Sequence, residues 1–444
     1  MQRRTFNTLL AASAASPYLL HPMTASAAPT ADMPHLPWTR QANIYEVNIR
    51  QYTPEGTLGA FQAHLPRLQK MGVDILWLMP IQPIGRQERK GSLGSYYSIA
   101  DYTAVNPEFG GLADVKALVQ DAHARGMKVI LDWVANHTAW DHPWTSQHKD
   151  WYKLNAQGEI FPVTFNEGTP QVEYWSDVVA LNYDSAALRE AMIGEMAFWV
   201  RECDLDGFRC DVAGLVPTAF WNEARRRLDA IKPMFMLAEW SEPELHEQAF
   251  DMSYGWDLQD VFKAIGSGKA GADALRAWVR QPTAKPFPAH AYRMRFTSNH
   301  DINSWHGTDA ELYGPAYGAF AVLSFTLPGM PLIYGGQEGQ LDRRLAFFEK
   351  DTITWAGFPR QAFYSELIAL KKAHPALANG QYGAPVSLLD AGNPQVFAFK
   401  RQQNADWVQV VVNVSATPQR YHLQGQEAEI GPWQWAITAA PAAA

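Results

Sequence analysis

The sequence predicts an α/β protein: a (β/α)8 TIM barrel with a small excursion subdomain after strand three and a C-terminal antiparallel β-domain. Two observations carry this expectation. Short apolar runs alternate with amphipathic helical stretches along most of the chain, which is the rhythm of βα units in a parallel sheet. Several of those runs also stop at an acid or a histidine: residues 205–211 at Asp211, 234–239 at Glu239, 293–301 at His300-Asp301, and 127–133 just before Asn136-His137. In a parallel barrel such strand ends converge on one face, where barrel enzymes keep their chemistry.

The elements follow in order. Residues 44–51 read as a first strand, 61–71 as an amphipathic helix and 73–80 as a second strand. A helix over 112–125 ends at Gly126, which turns the chain into the strand over 127–133. From 138 to 180 the rhythm breaks into a stretch rich in Trp, Pro, His and Asn, and loops of that length are usually functional excursions. The alternation then resumes with helices at 188–201 and 220–231 and strands at 205–211 and 234–239. The sixth strand, around 250–252, carries the weakest signal; 293–298 and 331–334 supply the seventh and eighth, with helices at 316–326 and 363–373. Beyond 381 the texture changes to alternating strands over 395–400, 407–414 and 428–437, as in an antiparallel sheet. The expected domains are a barrel of residues 38–137 and 181–374, an excursion of 138–180, and a β-domain of 381–438.

Residues 1–28 have the plan of a secretory signal peptide: Arg3-Arg4 at the start, an apolar centre over 9–20, and Ala25-Ser26-Ala27 before the cleavage point. The paired arginines suggest the twin-arginine route, with the general secretory route as the alternative. The expected location is therefore periplasmic or secreted. No other stretch of the 444 residues reaches the length of a membrane span. The net charge of −8, without a basic cluster, argues against a nucleic-acid partner. Cys203 and Cys210 are the only cysteines and allow at most one disulfide, and Cys210 reads as a small buried hydrophobe.

Acids at strand ends suit hydrolysis of a glycosidic bond, which needs an ionised carboxylate on one side and a protonated acid at the leaving oxygen. Arg209 and Asp211 are two apart on a strand and share a face, so the guanidinium is expected to lower the Asp211 pKa. Glu239 emerges from an apolar strand, where burial would raise its pKa, as a general acid requires. Asp301 could clamp sugar hydroxyls or stabilise charge, and His137 and His300 could donate to those hydroxyls. Any one of these acids alone is equally well read as a helix cap or an ion-pair partner. All four segments together, in this order, are not.

These segments resemble the four motif regions of glycoside hydrolase family 13, the α-amylase family. Asp132-Trp133-Val134-Ala135-Asn136-His137 looks like the first region and Gly207-Phe208-Arg209-Cys210-Asp211 like the second. Ala238-Glu239-Trp240 looks like the third and Ser298-Asn299-His300-Asp301 like the fourth. The resemblance implies Asp211 as nucleophile, Glu239 as acid/base and Asp301 as transition-state stabiliser. It implies Tyr97, Asp101, His137, Arg209, Trp240 and His300 as substrate-binding residues, with Tyr97 as the aromatic platform under the cleaved sugar. The chemistry would need no cofactor. Calcium-dependent relatives bind the metal at a position that Asn136 matches, but the Lys-His pair that many amylases carry after the nucleophile is replaced here by Val212-Ala213-Gly214-Leu215. Calcium and the leaving-group subsite therefore both stay open.

The implied partner is an α-glucan, starch or maltodextrin, and the implied reaction is retaining, endo-acting hydrolysis of α-1,4 bonds. An exo-acting α-glucosidase, a maltodextrin-degrading hydrolase and a glucanotransferase use the same residues. A glucan-binding protein on an inactive barrel is the non-enzyme alternative, and the presence of all three acids weighs against it.

Overall fold

The computed structural model describes residues 35–166, 169–280 and 286–441; the expected signal segment, residues 1–28, lies outside them. Eight parallel strands close a barrel: β1 (Ile44–Val47), β2 (Ile75–Leu78), β3 (Lys128–Trp133), β4 (Gly207–Cys210), β5 (Phe235–Ala238), β6 (Met252–Tyr254), β7 (Tyr292–Arg295) and β8 (Met330–Tyr334). Neighbours in the barrel are neighbours in the chain, and β8 returns to β1 with Glu46 opposite Tyr334.

Alternation decides which side chains reach the barrel axis. Ile44, Ile75, Trp77, Ile130, Phe235, Leu237, Met252, Tyr254, Met294 and Leu332 point inward and fill the bore. Their neighbours Tyr45, Val47, Leu76, Leu78, Val129, Leu131, Phe208, Cys210 and Met236 point outward under the helices. Both faces are buried, which is why these strands read as continuous apolar runs. Cys203 and Cys210 are both buried and unpaired.

The weakly signalled sixth strand is present and pairs with both neighbours, Met252 lying opposite Leu237 and Tyr292. Three expected elements are corrected. The first strand stops at Val47 rather than at 51: its ladder to β2 ends there, and Gln51 and Tyr52 donate back to the Asn48 carbonyl in the short helix Ile49–Tyr52. The helix expected over 61–71 is two, Leu58–Gln62 and Leu65–Met71. Pro66 has no N–H to offer the Gln62 carbonyl and its ring crowds it, so one continuous helix cannot run through. The strand expected over 428–437 is also two, Gln426–Ile430 and Trp435–Ala439. Gly431-Pro432 and a left-handed Trp433 (φ 56°) separate them, and they join different sheets, against Gln419–Leu423 and Asp406–Asn413.

The excursion after β3 folds as a three-stranded antiparallel sheet of His137–Ala139, Glu173–Ala180 and Pro162–Phe165. It starts at His137, so it grows directly from the mouth of the barrel. The C-terminal β-domain has a four-stranded sheet and a separate hairpin. No helix among the described residues is long and apolar enough to cross a membrane.

Candidate active site

The site is organised around Arg209. Its position on β4 points it into the bore, and the strand before it can approach β5 only because residue 207 is glycine: a Cβ there would lie 1.9 Å from the Phe235 carbonyl oxygen. The guanidinium is fully buried. Nη1 donates to Asp132 Oδ1 at 2.9 Å and to Asp211 Oδ1 at 3.0 Å, Nε donates to the Tyr254 hydroxyl at 3.1 Å, and Nη2 forms an ion pair with Glu239 Oε1 at 3.0 Å. One cation thus holds carboxylates from three consecutive barrel strands. The rings of Trp77 and Tyr254 flank it at 5.1 and 5.6 Å.

A second group lies across the mouth. Tyr97, on the long loop after β2, donates its hydroxyl to Asp132 Oδ2 at 3.1 Å, and the same hydroxyl lies 2.8 Å from His300 Nε2. Asp132 Oδ2 also accepts from Trp77 Nε1 at 3.1 Å. His300 Nε2 is 3.3 Å from Asp301 Oδ2, and His300 Nδ1 is bonded to Glu46 of β1. The His300 and Phe347 rings lie nearly parallel to Tyr97, at 5.6 and 6.2 Å. Asp301 is the most open of the three expected acids, with a third of its side chain exposed.

Burial sets the electrostatics. Glu239 is pushed up to about 8 by burial and by the negative charges of Asp211 and Asp301, against the pull of Arg209. Its Oε2 accepts from the Val212 N–H at 2.8 Å. The expectation for Asp211 is corrected: its pKa is not lowered but raised to about 6. Arg209 does favour the charged form, but burial and the nearby Asp132 and Asp301 outweigh it, because the guanidinium is shared with two other acids. Asp132 rises to about 6, chiefly through burial. For His300, burial opposes the charge, yet Asp301 and Glu46 push it up to about 9, so it is an imidazolium at neutral pH. Burial lowers His137 to about 4 and keeps it neutral.

Asp211, Glu239, Asp301, Arg209, Tyr97 and His300 are brought together. His137 is buried at the root of the excursion, with Nδ1 bonded to Asn136 Nδ2 at 3.1 Å and its ring edge-on to Trp175. That bond uses the amide nitrogen of Asn136 and not the oxygen that would face a cation; among the described residues no group of three or more His, Cys, Asp or Glu side chains that could hold a metal is found. Asp101 does not join the site. It is exposed, and its Oδ1 accepts from the N–H groups of Thr103 and Ala104, which makes it a loop-shaping residue. Trp240 follows Glu239 and covers Gly214 with its indole.

Asp132, Glu46, Trp77 and Tyr254 were not singled out from the sequence as site residues. An acid on the inward-facing parity of an apolar strand is the signal that would have found Asp132 and Glu46.

A closed parallel barrel with Asp132, Asp211 and Glu239 around one buried arginine at its C-terminal mouth is the site of a barrel enzyme built on carboxylates. The comparisons make the class particular: the family model for the α-amylase catalytic domain matches residues 39–352, and the chain belongs to the α-amylase family. The chain is 30% identical over 404 residues to alpha-amylase MalA of Haloarcula japonica, covering 86% of this chain and 56% of that protein. It is 27% identical to a cyclomaltodextrinase of a Bacillus species, covering 85% and 73%. Among solved structures, an alpha-amylase from Lactobacillus plantarum superposes with a TM-score of 0.80 at 30% identity, covering 91% of this chain and all of that one. The noncanonic maltogenic alpha-amylase AmyB of Thermotoga neapolitana gives 0.78 at 28% identity, covering 90% and 96%.

Proposed function

We propose that the protein hydrolyses α-1,4-glucosidic bonds of starch or maltodextrins with retention of configuration, cutting within chains, in the periplasm or outside the cell. Asp211 attacks the anomeric carbon while Glu239 gives its proton to the leaving oxygen. Glu239 then takes a proton from the water that releases the glycosyl group from Asp211. Asp301 and the His300 cation hold sugar hydroxyls, and Tyr97 lies under the ring being cleaved. The observation that carries this reading is that Asp211 Oδ1 and Glu239 Oε1 converge on one buried guanidinium, each 3.0 Å from it. Burial and the charge of Asp211 raise Glu239 further above its ordinary value than Asp211 is raised, as an acid beside a nucleophile requires. Names among the relatives, amylase and cyclomaltodextrinase, support the substrate class. The test is incubation of the purified protein with soluble starch and maltoheptaose, followed by chromatography of the products. A spread of short maltooligosaccharides supports the reading, products longer than maltoheptaose indicate transfer, and no change in either substrate overturns it.

A second reading, attack at chain ends, is favoured by one observation. The Ser92 N–H donates to Glu349 Oε1 at 2.9 Å and the Leu93 N–H to the Phe348 carbonyl at 3.1 Å, joining the loops after β2 and β8 beside Tyr97, across the mouth from Glu239. Arg50 braces the same loop by donating to the Gly94 carbonyl at 3.0 Å. A wall there would limit how many sugars fit beyond the cleaved one. A nitrophenyl maltoheptaoside blocked at its non-reducing end separates the two readings, because only internal cutting acts on it.

A further inference from the structure

Glu46 is a carboxylate with no exposure to solvent, on a strand whose other residues are Ile, Tyr and Val. Alternation places it in the bore beside Ile44, among apolar and aromatic side chains. Removing a carboxylate from water is costly unless a cation is paired with it. Its Oε1 is bonded to His300 Nδ1, and its Oε2 has no hydrogen-bond partner among the described residues. Among the described residues, the single hydrogen-bonding partner of this buried acid is thus a ring that belongs to the candidate active site.

His300 has two ring nitrogens, and Glu46 decides what the second can do. With both protonated, Nδ1–H donates to Glu46 and Nε2–H donates to the Tyr97 oxygen. The Tyr97 hydroxyl then donates to Asp132 Oδ2, which already accepts from Trp77, while Arg209 donates to the other oxygen of Asp132. Each bond from Glu46 to Arg209 then has one donor and one acceptor, and no donor faces a donor. A neutral ring with its proton on Nδ1 presents a lone pair at Nε2 instead. The Tyr97 hydroxyl would then be drawn toward His300 and away from Asp132, and Nε2 would face the Asp301 carboxylate as an acceptor against an acceptor.

We propose that Glu46 is a positioning residue that holds His300 as a doubly protonated cation and so fixes the proton directions through Tyr97 to Asp132. The idea rests on the glucan-hydrolase reading for its kinetic consequence, but not for its structural content. The groups facing the ring are Glu46 from β1, Asp301 beside it, Tyr97 from the loop after β2, and the edge of Trp77 from β2. Phe347 faces it from the loop after β8, Asp132 and Arg209 lie on the adjoining strands, and of these Arg209 alone opposes a positive ring. The balance of these charges agrees, raising His300 to about 9 despite its burial.

The test is Glu46→Gln, which keeps shape and an acceptor for Nδ1–H but removes the charge. Protein labelled with ¹⁵N-histidine gives the protonation of His300 directly, its signal being assigned by its loss in His300→Gln. In the wild type, both nitrogens of His300 should stay protonated through pH 8. In Glu46→Gln the ring should titrate at least tenfold more easily, and kcat/KM on maltoheptaose should fall at least tenfold near pH 8, with a smaller loss near pH 6 and a rise in KM. A wild-type His300 that loses its proton below pH 7 overturns the proposal even if the variant does not fold. A folded variant with an unchanged titration and pH profile overturns it as well. A wild type without activity on glucans defeats the hydrolase reading, while the labelled-histidine titration still decides the role of Glu46.

Discussion

The Trp240 indole lies face-on against Gly214, so close that a Cβ on residue 214 would sit 2.1 Å from Cε2, 2.2 Å from Nε1 and 2.3 Å from Cδ2. Near-equal distances to three ring atoms mean the side chain would have to pass through the plane of the ring. Trp240 and Gly214 thus lie against each other beside Glu239, in the stretch where Val212-Ala213-Gly214-Leu215 stands in place of the Lys-His pair of many amylases.

Gly214→Ala should therefore displace Trp240 and cost about 1–3 kcal/mol in stability, as overpacking does. Because the ring adjoins Glu239, the proposed acid, KM for maltoheptaose should rise more than kcat falls. Adding Trp240→Ala to Gly214→Ala should recover most of the lost stability. Urea unfolding and steady-state kinetics on the two variants check both points; an unchanged Gly214→Ala protein would show that the indole moves aside freely.

Activity should follow a bell-shaped curve in pH. Asp211 must be ionised to attack, so the rate falls as pH drops through about 6. Glu239 must hold a proton to give away, so the rate falls as pH rises through about 8. The profile of kcat/KM between pH 4.5 and about 9.5 measures both limbs, which belong to a pair of interacting carboxylates rather than to each alone. A single limb, or an optimum below pH 5, would contradict the assignment.

The two acids should respond differently to removal of their charge. Asp211→Asn should lose turnover by roughly 10⁴-fold or more, while thermal unfolding and glucan binding stay close to wild type. Glu239→Gln should lose roughly 10²–10⁴-fold on maltoheptaose but far less on maltosyl fluoride, whose leaving group needs no proton. Equal losses on both substrates would remove Glu239 from the acid role.

At the other end of the barrel, Asp251 is buried between His35 and Arg225, at 2.8 and 2.7 Å, and accepts the Met236 N–H at 2.9 Å. Burial alone would raise its pKa, but Arg225 and His35 outweigh it and hold the carboxyl at about 2, below the ordinary 3.8. A depressed acid stabilises the fold above its unfolded pKa and stops doing so as pH falls through its folded one. We expect about 2 kcal/mol of stability from this group at neutral pH, lost between about pH 4 and 2, and missing throughout in Asp251→Asn. Urea titrations of both proteins at pH 7 and pH 3 read the difference.

Much of this was legible in the sequence for simple reasons. Parallel strands buried on two faces must be apolar, so Met236 and Leu237 mark β5 and the first polar residue after them, Glu239, marks its end. Residues that act from inside the barrel were harder to see. Glu46 and Asp132 interrupt apolar runs rather than ending them, and nothing local shows that Glu46 meets a residue 254 positions away. The Asp211 pKa failed for a related reason: sequence shows that Arg209 is near, but not that Asp132 and Glu239 draw on the same guanidinium. Asp101 lies close to Tyr97 in the chain, yet the loop between them turns it outward into its own bend.

The bonds that finish the catalytic mouth run across the chain rather than along it, from Glu46 to His300, from His300 to Tyr97, and from Tyr97 through Asp132 to Arg209. The two made by His300 reach from the end of β7 to β1 and to the loop after β2, and cannot form until the ring of strands has closed behind them. A nascent chain still emerging from the ribosome, or a refolding chain with its helices formed but β7 and β8 undocked, would carry every active-site residue and remain silent. Recovery of activity after denaturation is therefore a clock for the last step of assembly, and it should lag behind the return of secondary structure seen by circular dichroism.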